Sequence, residues 1–168
     1  MSITIYNTLS RQKEPFKPKK PGEVSLYVCG VTIYDLCHVG HARAYVVFDT
    51  IRRYFEDQNF TVTYIQNFTD IDDKIIKRAS EKNISFTALT DQYKAAYFED
   101  MDDLNIKRAT HYPCATNYIQ HMISLIESLI EKGHAYDVNG EVFFSVRSFK
   151  EYGKLSKKTI DDLISGHR

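Results

Sequence analysis

No uncharged apolar run in the chain is long enough to cross a bilayer, so a spanning helix is excluded and a soluble protein is expected. The opening residues, MSITIYNTLSRQKEPF, lack the charged start, apolar core and small-residue cleavage site of a secretory leader, and the expected location is the cytoplasm. Cysteine is scarce: Cys29, Cys37 and Cys114 make an odd, small number that excludes a disulfide framework and leaves thiols or metal ligands. Net charge of one sign is also missing. Twenty-two Lys and Arg balance 22 Asp and Glu, so the chain as a whole has no pull toward polyanions and any nucleic-acid contact must be local. Internal repeats and low-complexity segments do not occur.

What is present fits a globular α/β domain. The 168 residues can bury a core without help from disulfides or metal, and 43% hydrophobic, 13% aromatic and 26% charged residues are ordinary proportions for such a fold. ITIYN and VSLYVCG (residues 24–30) read as strands, the second set off by Pro21-Gly22. Between them Arg11 to Lys20, RQKEPFKPKK, reads either as a solvated loop or as a local basic contact for nucleic acid. From His38 apolar residues recur at helical spacing through Phe55, and TVTYIQNF (61–68) follows as a buried strand, so strand, helix, strand predicts a parallel crossover. Thr69 or Asp70 is the expected cap of a helix over about 71–82, and another helix is expected over about 86–104. No third parallel strand is predicted after it. A boundary is placed near residue 110, followed by a helix over about 115–132, a stop at Gly133 and a hairpin turned at Asn139-Gly140.

The densest chemistry lies in YVCGVTIYDLCHVGHARAY, residues 27–45, where two cysteines, two histidines and two glycines separate a strand from a helix. In open α/β sheets the crevice beyond the strand ends takes ligands, and a helix start favours anions such as phosphate. His38 and His41, three apart, share a helical face and can both donate to phosphate oxygens, while Gly40 leaves room for a close approach to the backbone. By composition alone Cys29 reads first as a small buried apolar residue, with a thiol ligand as the alternative. Cys37, at the helix start, is expected to have a depressed pKa and to react readily; a local metal site with Cys29 and His38 is a further option. Asp70, Asp72 and Asp73 read as helix-start carboxylates or as a magnesium cluster.

With these residues in view, YVCGVTIYDLCHVGHARAYVVFD resembles the HIGH region of class I aminoacyl-tRNA synthetases, and within them the cysteinyl-tRNA synthetase family. NFTDIDDKIIKRA and NTLSRQKEPF resemble the same family, and together the matches run from residue 6 to beyond 150. The resemblance implies the N-terminal half of a Rossmann-like, HUP-type nucleotide-binding fold with parallel strands over 1–110, and the start of a helix-plus-hairpin insertion module over 111–168. It implies a cysteine-tRNA ligase that forms cysteinyl-adenylate from cysteine and ATP with Mg2+ and transfers cysteine to the 3′ end of tRNA-Cys. His38 and His41 are then the catalytic pair; Gly30, Thr32, His38, Gly40 and His41 contact ATP, and Gly30 and Thr69 contact cysteine. Cys29 becomes one zinc ligand, and a zinc-bound thiolate distinguishes cysteine from serine without an editing site.

KLSKK (154–158) resembles the lysine-bearing KMSKS loop of that class, but it follows a hairpin instead of the second half of the nucleotide fold, and it is read as a decoy. The chain stops at His167-Arg168 without further zinc ligands, closing strands or anticodon-reading helices, so an N-terminal piece with little activity of its own is expected; a monomer is expected too. Three other readings compete. The cysteine ligase of mycothiol synthesis shares the fold, but that family has threonine directly before the first histidine, where this chain has Cys37. A non-catalytic nucleotide or RNA-binding module predicts salt-sensitive RNA binding without adenylate. A nucleotidyltransferase predicts pyrophosphate exchange independent of cysteine.

Overall fold

The structure, a computed structural model, describes residues 3–164. In chain order its elements are strands β1 (Thr4–Asn7), β2 (Gln12–Pro15) and β3 (Glu23–Val28), helix α1 (Val39–Asp57), β4 (Thr61–Gln66), α2 (Asp73–Glu81), α3 (Phe86–Asp103), a single 3-10 turn (Ala115–Tyr118), α4 (Ile119–Glu131), β5 (Ala135–Val138), β6 (Glu141–Phe144), a second short 3-10 turn (Val146–Ser148) and α5 (Ile160–Ile164). They form two compact units, residues 18–119 and a second one assembled from residues up to 17 and from 120 onward.

The 18–119 unit is built on a parallel pair. β3 and β4 run side by side from Glu23↔Thr61 to Val28↔Gln66, joined by α1, which is the predicted strand, helix, strand crossover. A third parallel lane exists after all: Ile65 bridges to His111 and Phe68 to Cys114, with Gln66 and Phe68 donating to the carbonyls of His111 and Pro113. Pro113 has no N–H to give to a ladder, so this lane stays a pair of bridges and gives no strand pattern in the sequence. Residues 111–118 consequently remain with this unit, and the division falls after Ile119.

Val28, Val31, Ile33, Tyr64 and Phe68 from the strands and their extensions and Tyr45 from α1 meet Ile75, Leu89, Tyr93, Tyr97 and Met101 from α2 and α3 in one buried cluster. Phe68 is its centre: its ring meets Tyr97 and Phe98 edge-on at 5.1 and 5.6 Å and stacks on Tyr112 at 5.3 Å. Such pairs add about 0.5–1.5 kcal/mol each beyond the area they bury. The charged face of α1 clamps the segment after α3. Buried Asp49 accepts from the Lys107 N–H at 3.1 Å and from Arg53 at 2.5 Å, while Arg52 and Arg53 donate to the carbonyls of Arg108 and Asn105. Glu56 takes both Arg52 and Lys107.

Caps explain the helix limits. Asp72, not Thr69 or Asp70, caps α2 by accepting from the Lys74 N–H, and Ser85 caps α3 through the Ala88 N–H. Asn59, Asn83 and Asn105, just beyond the C-terminal ends of α1, α2 and α3, adopt φ of 63°, 52° and 54°, the left-handed conformation that lets a helix stop.

In the other unit β1 and β2 form an antiparallel hairpin, so Gln12–Pro15 of the expected basic loop is a strand. β5 and β6 pair as Ala135↔Phe144 to Val138↔Glu141, and Asn139 (φ 55°) with Gly140 (φ 87°) makes the predicted tight turn. KLSKK lies in this unit, in a run of turns after β6. Among the described residues no helix is long and apolar enough to cross a membrane.

Candidate functional site

The ten residues between β3 and α1 leave the strand ladder after Val28 and end where His38 caps the helix. They run past the C-terminal end of the parallel pair and are tied there by backbone bonds: Thr69 N–H donates to the Val31 carbonyl at 3.0 Å and Ile33 N–H to the Thr69 carbonyl at 3.2 Å. The loop, the start of α1, Lys74 of α2 and Tyr93 and Tyr97 of α3 enclose a cavity of about 420 Å³. This is the crevice position at which open α/β sheets take ligands.

His38 has extended backbone (φ −121°, ψ 168°) and its Nδ1 accepts the Gly40 N–H at 3.1 Å. His41 returns the favour: its Nδ1 accepts the His38 N–H at 3.3 Å, a reciprocal capping box built from two imidazoles. The rings stack, centroids 3.9 Å apart and planes within 18°. A ring nitrogen that accepts carries no proton, so in both neutral rings the proton belongs on Nε2, leaving two N–H donors for a ligand. Burial, and then the neighbouring His38, hold the His41 pKa below its usual value, which keeps that ring neutral. Gly40 serves this arrangement directly. A Cβ there would lie 2.8 Å from His38 Cε1 and 2.9 Å from its Nδ1, so the missing side chain makes room for the capping imidazole.

Of the sequence candidates, Gly30, Thr32, His38 and His41 all line the cavity. Gly40 lies behind the His38 ring, and Thr69 sits one parallel bridge away from Thr32, outside the lining. Cys29 is exposed, which removes its reading as a buried apolar residue. Its carbonyl takes the Tyr45 hydroxyl at 3.4 Å, and the next residue, Gly30, gives its N–H to Asn67 Oδ1 at 2.9 Å. The same oxygen accepts the Tyr27 hydroxyl at 2.8 Å. A Cβ on Gly30 would come within 1.5 Å of the Asn67 carbonyl oxygen, so only glycine fits.

Two expectations are corrected. Cys37 is not activated: burial first, then Asp100, push its thiol up to about 11. The carboxylates of TDIDDK do not gather for magnesium. Asp70 is buried and accepts from the Thr116 N–H at 3.0 Å and hydroxyl at 2.6 Å, fastening the 3-10 turn, while Asp72 caps α2. Sequence reasoning missed Asn67, Tyr45 and Lys74, the last holding its ammonium 5.7 Å above the Tyr34 ring at the cavity. Lys74 did carry a signal, since a lysine in a first helical turn opposes the helix dipole.

A zinc site needs three or more protein ligands. Among the described residues no group of three His, Cys, Asp or Glu side chains is disposed to hold a metal, so Cys29 stands as a single thiol and these residues alone do not make the site.

Residues 15–168 match a family model described as tRNA synthetases class I (C) catalytic domain. The chain is 56% identical over 166 residues to a Cysteine--tRNA ligase of Lachnospira eligens, spanning 99% of this chain and 35% of that protein. It is 53% identical over 166 residues to one of Gloeobacter violaceus, spanning 99% and 34%. It therefore spans about a third of the length of these relatives. Among solved structures it is similar to Mycobacterium tuberculosis methionyl-tRNA synthetase in complex with methionyl-adenylate, with TM-score 0.57 and 22% identity over 67% of this chain and 23% of that one. It is also similar to the Agrobacterium radiobacter K84 agnB2 LeuRS-tRNA-LeuAMS ternary complex, with TM-score 0.60 and 19% identity over 71% and 16%. At these identities the structural likeness concerns the fold, which is the Rossmann-like α/β arrangement of class I synthetases.

Proposed function

The chain belongs to the class I tRNA synthetase (C) catalytic domain family, and from that premise we propose that it is the N-terminal part of a cysteine-tRNA ligase. The whole enzyme activates cysteine with ATP and Mg2+ and transfers it to tRNA-Cys in the cytoplasm, acting as a monomer. In the first step a carboxylate oxygen of cysteine attacks the α-phosphorus of ATP. The bond to the β-phosphate oxygen breaks, and pyrophosphate leaves with its electron pair.

The observation that carries the reading is the convergence of two Nε2–H donors with Gly30 and Thr32 in one cavity beyond the strand ends. Donors fixed by capping need no reorganisation when charge builds on the phosphate oxygens, which is the electrostatic form of catalysis, with no covalent enzyme intermediate. Gly30 presents backbone to the amino acid, and Thr69, bridged to Thr32 of the lining, is its second contact. Cys29 would be this span's contribution to a zinc site whose other ligands come from residues outside it; bound zinc would favour the cysteine thiolate over a serine hydroxyl. KLSKK has no part in the chemistry.

Cysteine-dependent exchange of pyrophosphate into ATP tests the proposal. A protein of the relatives' full length carrying these residues exchanges, and the 168-residue chain alone has little or no turnover. Exchange without cysteine would point to a nucleotidyltransferase, and robust exchange by the 168 residues would show that the site is complete within them.

A further inference from the structure

Lys74 is the one charged group lining the cavity that no carboxylate neutralises among the described residues. The other, Asp35, is paired with Arg78 at 3.3 Å. The two histidines offer N–H bonds without charge, because each Nδ1 is occupied as an acceptor. A ligand oxyanion entering the cavity would therefore find donors from α1 and its compensating positive charge from α2.

The position of Lys74 makes sense on no other ground visible in the fold. It occupies the second residue of α2, where the dipole disfavours a cation, and its backbone N–H is already used by the Asp72 cap. Among the described residues it makes no ion pair, and its ammonium sits 5.7 Å from the Tyr34 ring centroid, a cation–π contact that keeps a long exposed side chain at the cavity mouth. A residue that violates its local preference, with only that weak exposed contact in return, marks a functional position.

We propose that Lys74 is a binding residue of this site, contributing the positive charge that holds a substrate oxyanion opposite His38 and His41; this rests on the reading of the cavity as an adenylation site. The shared chemistry is an anionic oxygen, supplied by the polyphosphate of ATP or by the amino-acid carboxylate. Tyr34 is the rest on which the ammonium waits.

The test is a titration of the 15N-labelled 168-residue chain with ATP, inorganic pyrophosphate and L-cysteine separately, for the wild type, Lys74→Gln and Lys74→Arg, at two salt concentrations. Lys74→Gln should weaken binding about tenfold, the scale of a hydrogen bond to a charged group, and should flatten its salt dependence, with Lys74→Arg recovering most of both. Loss confined to ATP and pyrophosphate assigns the phosphates; loss confined to L-cysteine assigns the carboxylate. ATP or cysteine binding that perturbs the amides of 30–41 equally in wild type and Lys74→Gln overturns this inference and leaves the adenylation reading standing. If no probe moves those amides in the wild type, the adenylation reading of this chain fails, and the inference with it.

Discussion

His38 and His41 stack at 3.9 Å while each lends its Nδ1 to a backbone N–H at the start of α1. The pair is thus at once the cap of a helix and the donor face of a cavity, and the two duties are joined through the tautomer. Capping consumes the acceptor nitrogen; the donor nitrogen is what remains.

The first expectation concerns that tautomer. Long-range 1H–15N spectra of the chain should show His41 protonated on Nε2 at neutral pH, titrating below 6.5 because burial and His38 disfavour its charged form. Protonation at Nδ1, or a midpoint above 6.5, would mean that the capping box is not formed.

Gly30→Ala should be severely destabilising, because its Cβ would sit 1.5 Å from a backbone oxygen that cannot swing away. A cost of about 3 kcal/mol is expected for overpacking of this kind. In a chain of this size that lowers Tm by about 6–12 °C in a thermal melt. An unchanged Tm would show that Gly30 is not held against Asn67.

Asp70→Ala should lower stability by about 1–3 kcal/mol, since it strands the Thr116 N–H and hydroxyl. Asp70→Asn keeps an acceptor oxygen and should lose less. Equal melting of all three proteins would remove Asp70 from its structural role.

The three thiols should separate by reactivity. Iodoacetamide at pH 8, followed by peptide mass mapping, should label exposed Cys29 first and Cys37 at least about tenfold more slowly, as burial and Asp100 keep its thiolate scarce. Faster labelling of Cys37 would restore the activated helix-start thiol expected from sequence.

Acid should loosen the grip of α1 on residues 105–108. The carboxyl of Glu56 is held below its usual 4.5 by hydrogen bonds from Lys107 and Arg52. Its contribution to stability is present above 4.5 in full and fades as pH falls through the lower folded value. Glu56→Gln should flatten the fall of Tm in that window; an unaltered slope would show that other carboxylates govern it.

How much of this was legible beforehand depends on whether a residue's role is local. The crossover from β3 through α1 to β4 follows from periodicity, and the hairpin at Asn139-Gly140 from a turn that needs two positive φ values. The place of His38 and His41 followed from a strand giving way to a helix. Partners distant in sequence left no such trace. That Asp70 would fasten Thr116, or that Asn67 would receive both Tyr27 and Gly30, depends on contacts 46, 40 and 37 residues apart. The lane at 111–114 was hidden by Pro113, which breaks the strand pattern while keeping the strand's place. At the helix ends, Gly133, read as a stop, does take a positive φ of 72° just beyond α4, while Asn59, Asn83 and Asn105, which do the same after α1, α2 and α3, are a weaker signal in sequence than glycine.

In the core the phenols of Tyr45 and Tyr97 are buried and resist ionisation, and burial pushes Tyr64 up to about 12. Because the chain has 12 tyrosines and no tryptophan, the phenolate absorption that develops in alkali belongs to tyrosine, with no indole band beneath it. The buried phenols are thereby a built-in optical gauge: the colour they add on alkalisation comes late, as the core gives way.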